Sequence, residues 1–115
     1  MAYEGSCHCG AVTFSVEGDA PAKAMVCNCS MCRRTGVMLA FGPRSSMTIR
    51  GKDALREYHF HTHKIAHQFC TTCGIEPFAV GTAPDGTRTV AINLRCVPAI
   101  DLDALEIQHF DGASR

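Results

Sequence analysis

With 115 residues, the chain is long enough for one domain with a small hydrophobic core, and we expect a single domain over residues 1–115. Its 11 basic and 11 acidic residues balance to a formal charge of zero, so charge gives no reason to expect binding to nucleic acid or to a membrane surface. No stretch approaches the roughly 20 apolar residues of a membrane span, and the first residues lack the basic and apolar regions of a signal peptide. We therefore expect a cytoplasmic location, where the 8 cysteines stay reduced and are better explained as metal ligands than as disulfides.

Short strand-like segments follow one another along the chain. Residues 11–16 alternate, with Val12, Phe14 and Val16 on one face, which predicts a half-buried strand. A helical turn is predicted over residues 30–35, where Gly36 ends it. Because the sequence shows neither sustained helical periodicity nor an internal repeat, the predicted fold class is a small, mostly-β domain. The further predicted strands are 23–26, 37–41 (a continuous apolar run, expected to be buried), 47–50, 56–60, 65–69, 78–80, 89–94 and 106–110.

Three cysteines lie close together in the sequence, at Cys27, Cys29 and Cys32. A hydrophobic core does not require three thiols in so short a segment, whereas zinc does, because Zn–S bonds of about 2.3 Å need several sulfurs around one point. A structural zinc site is closed by four protein ligands, and a site with three keeps a position for water or substrate. The spacing therefore predicts a zinc site with an open fourth position.

Two further pairs, Cys7-x-Cys9 and Cys70-x2-Cys73, can each chelate a metal from one turn. Together they make a four-cysteine site. A glycine directly follows each pair, and its freedom at positive φ helps the backbone amides to curl towards the sulfurs. Since a metal shared by the two pairs closes a long loop, it removes conformational entropy from the unfolded chain, and we expect a structural role.

The eighth cysteine, Cys96, stands alone at the end of an apolar strand. It is either a buried strand residue or the fourth ligand that closes the Cys27, Cys29 and Cys32 site, and we favour the buried residue because lone strand cysteines are commonly inert.

The histidines also offer ligands. His59, His61 and His63 alternate along one predicted strand, and a half-exposed strand surface is favoured over a row of metal ligands. An extended backbone would point His8 away from the metal of its neighbours Cys7 and Cys9. His67 and His109 are expected to be ordinary strand residues rather than catalytic bases.

The order of these motifs resembles the glutathione-dependent formaldehyde-activating enzyme family, which includes centromere protein V. The resemblance spans nearly the whole chain. One acidic residue, Glu76, follows the last cysteine pair at a position to which the resemblance assigns no role. The segments that carry the resemblance are Cys7-x-Cys9-Gly10, Cys27-x-Cys29-x2-Cys32-Arg33, Phe69-Cys70-x2-Cys73-Gly74, Asn93-Leu94-Arg95-Cys96 and His109-Phe110-Asp111-Gly112.

This resemblance implies a fold, a cofactor and an activity. The fold is the small zinc-binding β fold of these enzymes, shared with methionine-R-sulfoxide reductases and certain Rab-binding chaperones. The activity joins glutathione to formaldehyde as S-hydroxymethylglutathione, and family members are classed as carbon–sulfur lyases. The cofactor is two zinc ions per chain, a structural zinc on Cys7, Cys9, Cys70 and Cys73 and a catalytic zinc on Cys27, Cys29 and Cys32.

Two functions from different classes follow as predictions. The favoured one is a zinc-dependent carbon–sulfur lyase in which a small thiol such as glutathione enters as the fourth ligand and reacts with, or releases, a small carbonyl compound. The alternative is a non-catalytic zinc-binding module for a protein partner, with the three-cysteine site closed by Cys96 or a histidine. Arg33 and Arg34 directly follow Cys32, and they either bind a substrate carboxylate and offset negative charge or form a solvated turn.

Overall fold

The computed structural model describes residues 1–60 and 65–114, and strands dominate it. The described residues also contain one short helix, α1 (Cys32–Thr35), and several single 3-10 turns. The mostly-β fold class predicted from the sequence is confirmed. The strands are β1 (Ala2–Ser6), β2 (Thr13–Glu17), β3 (Lys23–Cys27), β4 (Leu39–Pro43), β5 (Met47–Arg50), β6 (Leu55–Tyr58), β7 (Ile65–Cys70), β8 (Phe78–Thr82), β9 (Arg88–Asn93) and β10 (Glu106–Phe110).

The described strands form two sheets. A three-stranded sheet has the order β1-β2-β5, and a seven-stranded sheet has the order β10-β3-β4-β9-β8-β7-β6. Neighbouring strands are antiparallel except for β10, which runs parallel to β3 and places Phe110 opposite Cys27. The last strand is thereby brought next to the strand that leads into the three-cysteine segment.

The core contains apolar side chains from both sheets. Val12, Phe14 and Val16 are buried, as their alternation predicts, and the ring of Phe14 meets that of Phe78 edge to face at 5.9 Å. Phe78 and Ile92 are almost fully buried. Burial of each such side chain stabilises the fold by about 1.5–3 kcal/mol, which makes this core the main support for the loops that carry the cysteines.

Strand β1 was not predicted, because residues 2–6 show little hydrophobic patterning. It forms through pairing with β2, in which Tyr3 faces Val16 and Gly5 faces Phe14. A Cβ on Gly5 would collide with the Phe14 ring and with the carbonyl oxygen of Cys96. Tertiary packing, not local propensity, therefore decides this strand.

The prediction of a buried strand over residues 37–41 is wrong in its bounds and in its burial. Val37 and Met38 are buried but precede β4, whereas Phe41, inside the strand, is 58% exposed. Alternate residues of a strand point to opposite faces of its sheet, so a continuous apolar run does not ensure burial on both faces. Cys96 is likewise not a strand residue: it lies in a 3-10 turn, Leu94–Cys96, directly after β9.

Candidate metal centres and the adjoining cleft

The two separated cysteine pairs meet in space. The Sγ atoms of Cys7, Cys9, Cys70 and Cys73 all lie within 4.8 Å of one another. Those of Cys7 and Cys9 are 3.7 Å apart and those of Cys9 and Cys70 are 3.6 Å apart. Tetrahedral Zn–S bonds of about 2.3 Å place sulfurs about 3.8 Å apart, whereas a disulfide brings them to about 2.05 Å. This donor set fits zinc.

The turns after each pair shape this first cluster. Gly10 and Gly74 have φ values of 83° and 79°, in the left-handed region that glycine adopts without strain. The tightened turns direct backbone N–H groups at the sulfurs. Those of Ile75 and Cys9 lower the pKa of Cys73 to about 6, so the thiolate form that binds metal is favoured at neutral pH.

The other three cysteines form a second cluster. Cys27 ends β3, Cys32 begins α1, and their Sγ atoms and that of Cys29 lie within 4.8 Å of one another. The N–H of Cys29 points to Cys27 Sγ at 3.4 Å, and that of Cys32 to Cys29 Sγ at 3.3 Å. Gly36 ends α1 as predicted, with φ at 73° and its N–H bonded to the Cys32 carbonyl.

Ionisation of all three thiols in the second cluster needs a positive charge beside them. Burial, followed by the hydrogen bond to Cys29 and the negative charge of Cys29 and Cys27, raises the pKa of Cys32 well above its ordinary value. Three neighbouring thiolates repel one another unless a positive ion lies between them. The cluster therefore fits a divalent metal held by three sulfurs, and within the described part of the chain no histidine, aspartate or glutamate joins it.

A turn at the end of the chain covers this second cluster. Asn28 donates from Nδ2 to Asp111 Oδ1 at 3.0 Å and accepts at Oδ1 from the N–H of Ala113 at 2.9 Å. Gly112 lies against Cys27 Sγ, because a Cβ there would collide with that sulfur. The sequence motifs contained these residues, but nothing local indicated that Asn28 and Asp111 hold the two segments together.

Beside the second cluster opens a cleft of about 580 Å³, within the range of small-molecule sites. Its wall combines sulfur, cationic and aromatic groups. Arg34 is anchored by a 2.7 Å hydrogen bond from Nη1 to the carbonyl of Ser30. The exposed Arg33 donates its backbone N–H to the Cys29 carbonyl at 3.0 Å, and within residues 1–60 and 65–114 its guanidinium makes no hydrogen bond. The residues that line the cleft include Cys27, Cys29, Arg33, Arg34, Phe60, His67 and Phe110.

Cys96 is a member of neither cluster, although it lies near Cys7 and Cys73 of the first. It is 8% exposed, and among the described residues its sulfur belongs to neither group of converging ligands. Burial is the main cause that raises the pKa of Cys96 to about 11. The side chain is therefore a neutral, buried thiol at neutral pH, as the sequence led us to expect.

The histidines differ in their surroundings. His8 is exposed, and His59 pairs with Glu57 at 3.1 Å on the surface. The other two histidines of the predicted half-exposed strand surface, His61 and His63, lie outside the described residues. His67 is a strand residue as expected, but it is buried, forms a hydrogen bond with Glu76 at 2.7 Å and lines the cleft. No sequence motif indicated that pairing.

The fold and site define a class: a small β protein with two cysteine clusters of metal-binding geometry, one of them beside a cleft. Residues 2–103 match the family described as glutathione-dependent formaldehyde-activating enzyme. The chain belongs to this family, which the cysteine motifs had indicated.

Proteins similar to this chain include one curated relative and one solved structure. One is a protein of Halomonas elongata, which is provisionally named a glutathione-dependent formaldehyde-activating enzyme. It is 30% identical over 82 residues, which cover 64% of this chain and 52% of the relative. The chain thus spans about half the length of that curated relative. A crystal structure of a Rhodobacter sphaeroides protein matches with a TM-score of 0.77 and 31% identity, over 91% of this chain and 99% of the other.

Among the described residues, the structure contains no helix with the length and apolar character needed to cross a membrane.

Proposed function

We propose that the protein is a zinc-dependent carbon–sulfur lyase-type enzyme that acts on the adduct of a small, glutathione-like thiol and a small carbonyl compound. The family supports the reaction type. The observation that carries the proposal is the second cluster, in which three thiols converge without a fourth described ligand of the metal-binding types and two of them, Cys27 and Cys29, line the cleft. Three protein ligands and an accessible side are the arrangement of a catalytic metal site.

Each cluster has its own role in this proposal. Cys7, Cys9, Cys70 and Cys73 would hold a structural zinc, and Cys27, Cys29 and Cys32 a catalytic one. When bound at the second cluster, zinc supplies a soft Lewis acid that favours the thiolate form of a substrate thiol.

The remaining wall of the cleft would bind and orient the substrate. Arg33 and Arg34 place positive charge beside the cysteines, which suits a thiol that carries carboxylates. Phe60 and Phe110 provide aromatic surface that excludes water. A cytoplasmic location fits the same proposal, because all eight cysteines are free thiols and an oxidising compartment would favour their oxidation.

The test combines metal content with exchange kinetics. Purified protein should contain two zinc ions per chain, and it should accelerate exchange between ¹³C-formaldehyde and its glutathione adduct, measured by NMR exchange spectroscopy. Apo-protein prepared with a chelator is the control. Two bound zinc ions with an exchange rate equal to the spontaneous one would exclude the enzyme.

Two bound zinc ions without any rate enhancement would favour the alternative function, a non-catalytic zinc-binding module for a protein partner. One observation supports it: Phe41 and Ile65 are 58% and 49% exposed and border the same shallow apolar depression on the seven-stranded sheet. Exposed apolar surface of this kind is typical of interaction sites.

A further inference from the structure

We propose that His67, held by Glu76, is the proton-transferring residue of the cleft and acts on the oxygen of the substrate's carbonyl carbon. The inference rests on the proposed function and extends it by a catalytic residue and a positioning residue. It also gives a role to Glu76, the acidic residue that the cysteine motifs left unexplained.

The two side chains form a buried pair. His67 Nδ1 and Glu76 Oε2 are 2.7 Å apart, and the residues are 8% and 7% exposed. Asn93 fixes the backbone beneath the carboxylate, because its Nδ2 donates to the carbonyl of Glu76 at 3.0 Å. The ring of Phe60 stacks on that of His67, with centroids 5.4 Å apart and planes inclined by 25°. The imidazole is therefore held both by its edge and by its face.

The second ring nitrogen of His67 reaches the cleft. Among the described residues, no buried side-chain nitrogen or oxygen lacks a hydrogen-bond partner. Within residues 1–60 and 65–114, the ring is hydrogen-bonded through Nδ1 alone. Nε2 is therefore not enclosed in the core, and the cleft that His67 lines is where it becomes accessible.

The pairing also sets the chemistry of Nε2. A carboxylate accepts and does not donate, so a neutral imidazole must carry its proton on Nδ1 to bond Glu76. Nε2 then presents a lone pair to the same cleft that contains Cys27 and Cys29. A carboxylate that fixes the tautomer of a histidine base is the arrangement used in many hydrolases. A purely structural core position would be filled at less cost by apolar side chains, which favours a functional reason for the pair.

In the direction of adduct cleavage, Nε2 takes the proton of the hydroxyl group on the carbon bonded to sulfur. The O–H electrons form the C=O bond as the C–S bond breaks, and the C–S electrons leave with sulfur as a thiolate. In the direction of synthesis the thiolate attacks the carbonyl carbon, and the imidazolium returns the proton to oxygen. No oxidant or reductant is needed, and the Glu76 carboxylate stabilises the imidazolium without taking up a proton itself.

The test uses the zinc-loaded full chain and three variants. His67→Asn keeps an amide nitrogen near the Nδ1 position for the bond to Glu76 but removes Nε2. Glu76→Gln keeps an acceptor but removes the charge. His59→Gln is the matched control, since His59 also pairs with a glutamate, Glu57, but is exposed and outside the cleft wall.

We expect His67→Asn to lower kcat for glutathione–formaldehyde exchange by about 100-fold or more, with KM nearly unchanged, as for the loss of a general base. Glu76→Gln should lower kcat by about 10-fold, and His59→Gln should match the parent. A ¹⁵N NMR spectrum of the parent should show His67 protonated at Nδ1 and unprotonated at Nε2. This reports on the pair even where a variant folds poorly.

Two results would overturn the inference while the proposed function stands: full kcat in His67→Asn, or a His67 that is protonated at Nε2 and not at Nδ1. A parent protein with no rate above the spontaneous exchange would instead remove the proposed function, and the inference with it. If His67→Asn binds less zinc or melts at a lower temperature while kcat per zinc-loaded chain is unchanged, the pair of His67 and Glu76 has a structural role only.

Discussion

At the scale of single residues, the surroundings of each ionisable side chain decide its role more than its type does. Cys96 and Cys73 are both thiols, yet burial raises the pKa of the first to about 11 and backbone N–H groups lower that of the second to about 6. At neutral pH, Cys73 therefore favours the thiolate form that binds metal, and Cys96 favours the neutral thiol.

Cys96→Ala should retain two zinc ions per chain. Its free energy of unfolding should fall by about 1 kcal/mol, because the packing of one small buried side chain is lost. Metal analysis and urea titration measure both quantities. In the folded parent, Cys96 should also resist iodoacetamide at pH 8, because its thiol is buried and stays protonated below a pKa of about 11. Loss of one zinc from the variant would mean that Cys96 closes the second cluster.

Arg33→Gln should raise KM for glutathione about two- to five-fold and leave kcat unchanged, since one exposed charge pair contributes up to about 1 kcal/mol. The matched substrate is 2-mercaptoethanol, which has no carboxylate and should show no change in KM. An equal rise for both thiols would assign Arg33 to the turn rather than to substrate binding.

At the scale of secondary-structure elements, the parallel pairing of β10 with β3 brings the C-terminal turn onto the second cluster. The bonds of Asn28 to Asp111 and Ala113 hold the two segments together. The geometry of the cysteine loop therefore depends on residues more than 80 positions away in the sequence.

Gly112→Ala should weaken or abolish zinc binding at the second cluster, because the added methyl group would meet Cys27 Sγ. The first zinc should remain. Gly42→Ala is the control, since among the described residues a Cβ there would have only Ser46 Oγ within 4 Å, at 3.7 Å. Competition with a colorimetric chelator gives the affinity of each site, and an unchanged second site in Gly112→Ala would contradict the packing described here.

At the scale of the whole molecule, the two clusters differ in the length of chain that they close. In the first cluster, the sulfurs of Cys9 and Cys70 are neighbours although these residues are 61 positions apart in the sequence. The second joins only residues 27–32. Loop-closure entropy grows with the logarithm of loop length, so the first metal should contribute about 2 kcal/mol more through this effect.

Cys70→Ser should accordingly leave the protein molten or insoluble, whereas Cys32→Ala should keep the fold and lose one zinc. Thermal unfolding and near-ultraviolet circular dichroism distinguish the two outcomes. If both variants lose the same stability, each site is structural, and the catalytic assignment of the second cluster fails.

The sequence by itself determined the mostly-β class, most strand positions and the grouping of seven cysteines, because hydrophobic alternation and chelating spacing are local properties. It missed β1, and it predicted burial for the exposed Phe41. These depend on which strands pair and which face of the sheet is covered. Tertiary structure alone brought His67 and Glu76 together in the cleft and laid Gly112 against Cys27. Such contacts join residues that no local pattern relates, since a buried polar pair is specified by the packing around it and not by its neighbours in the chain.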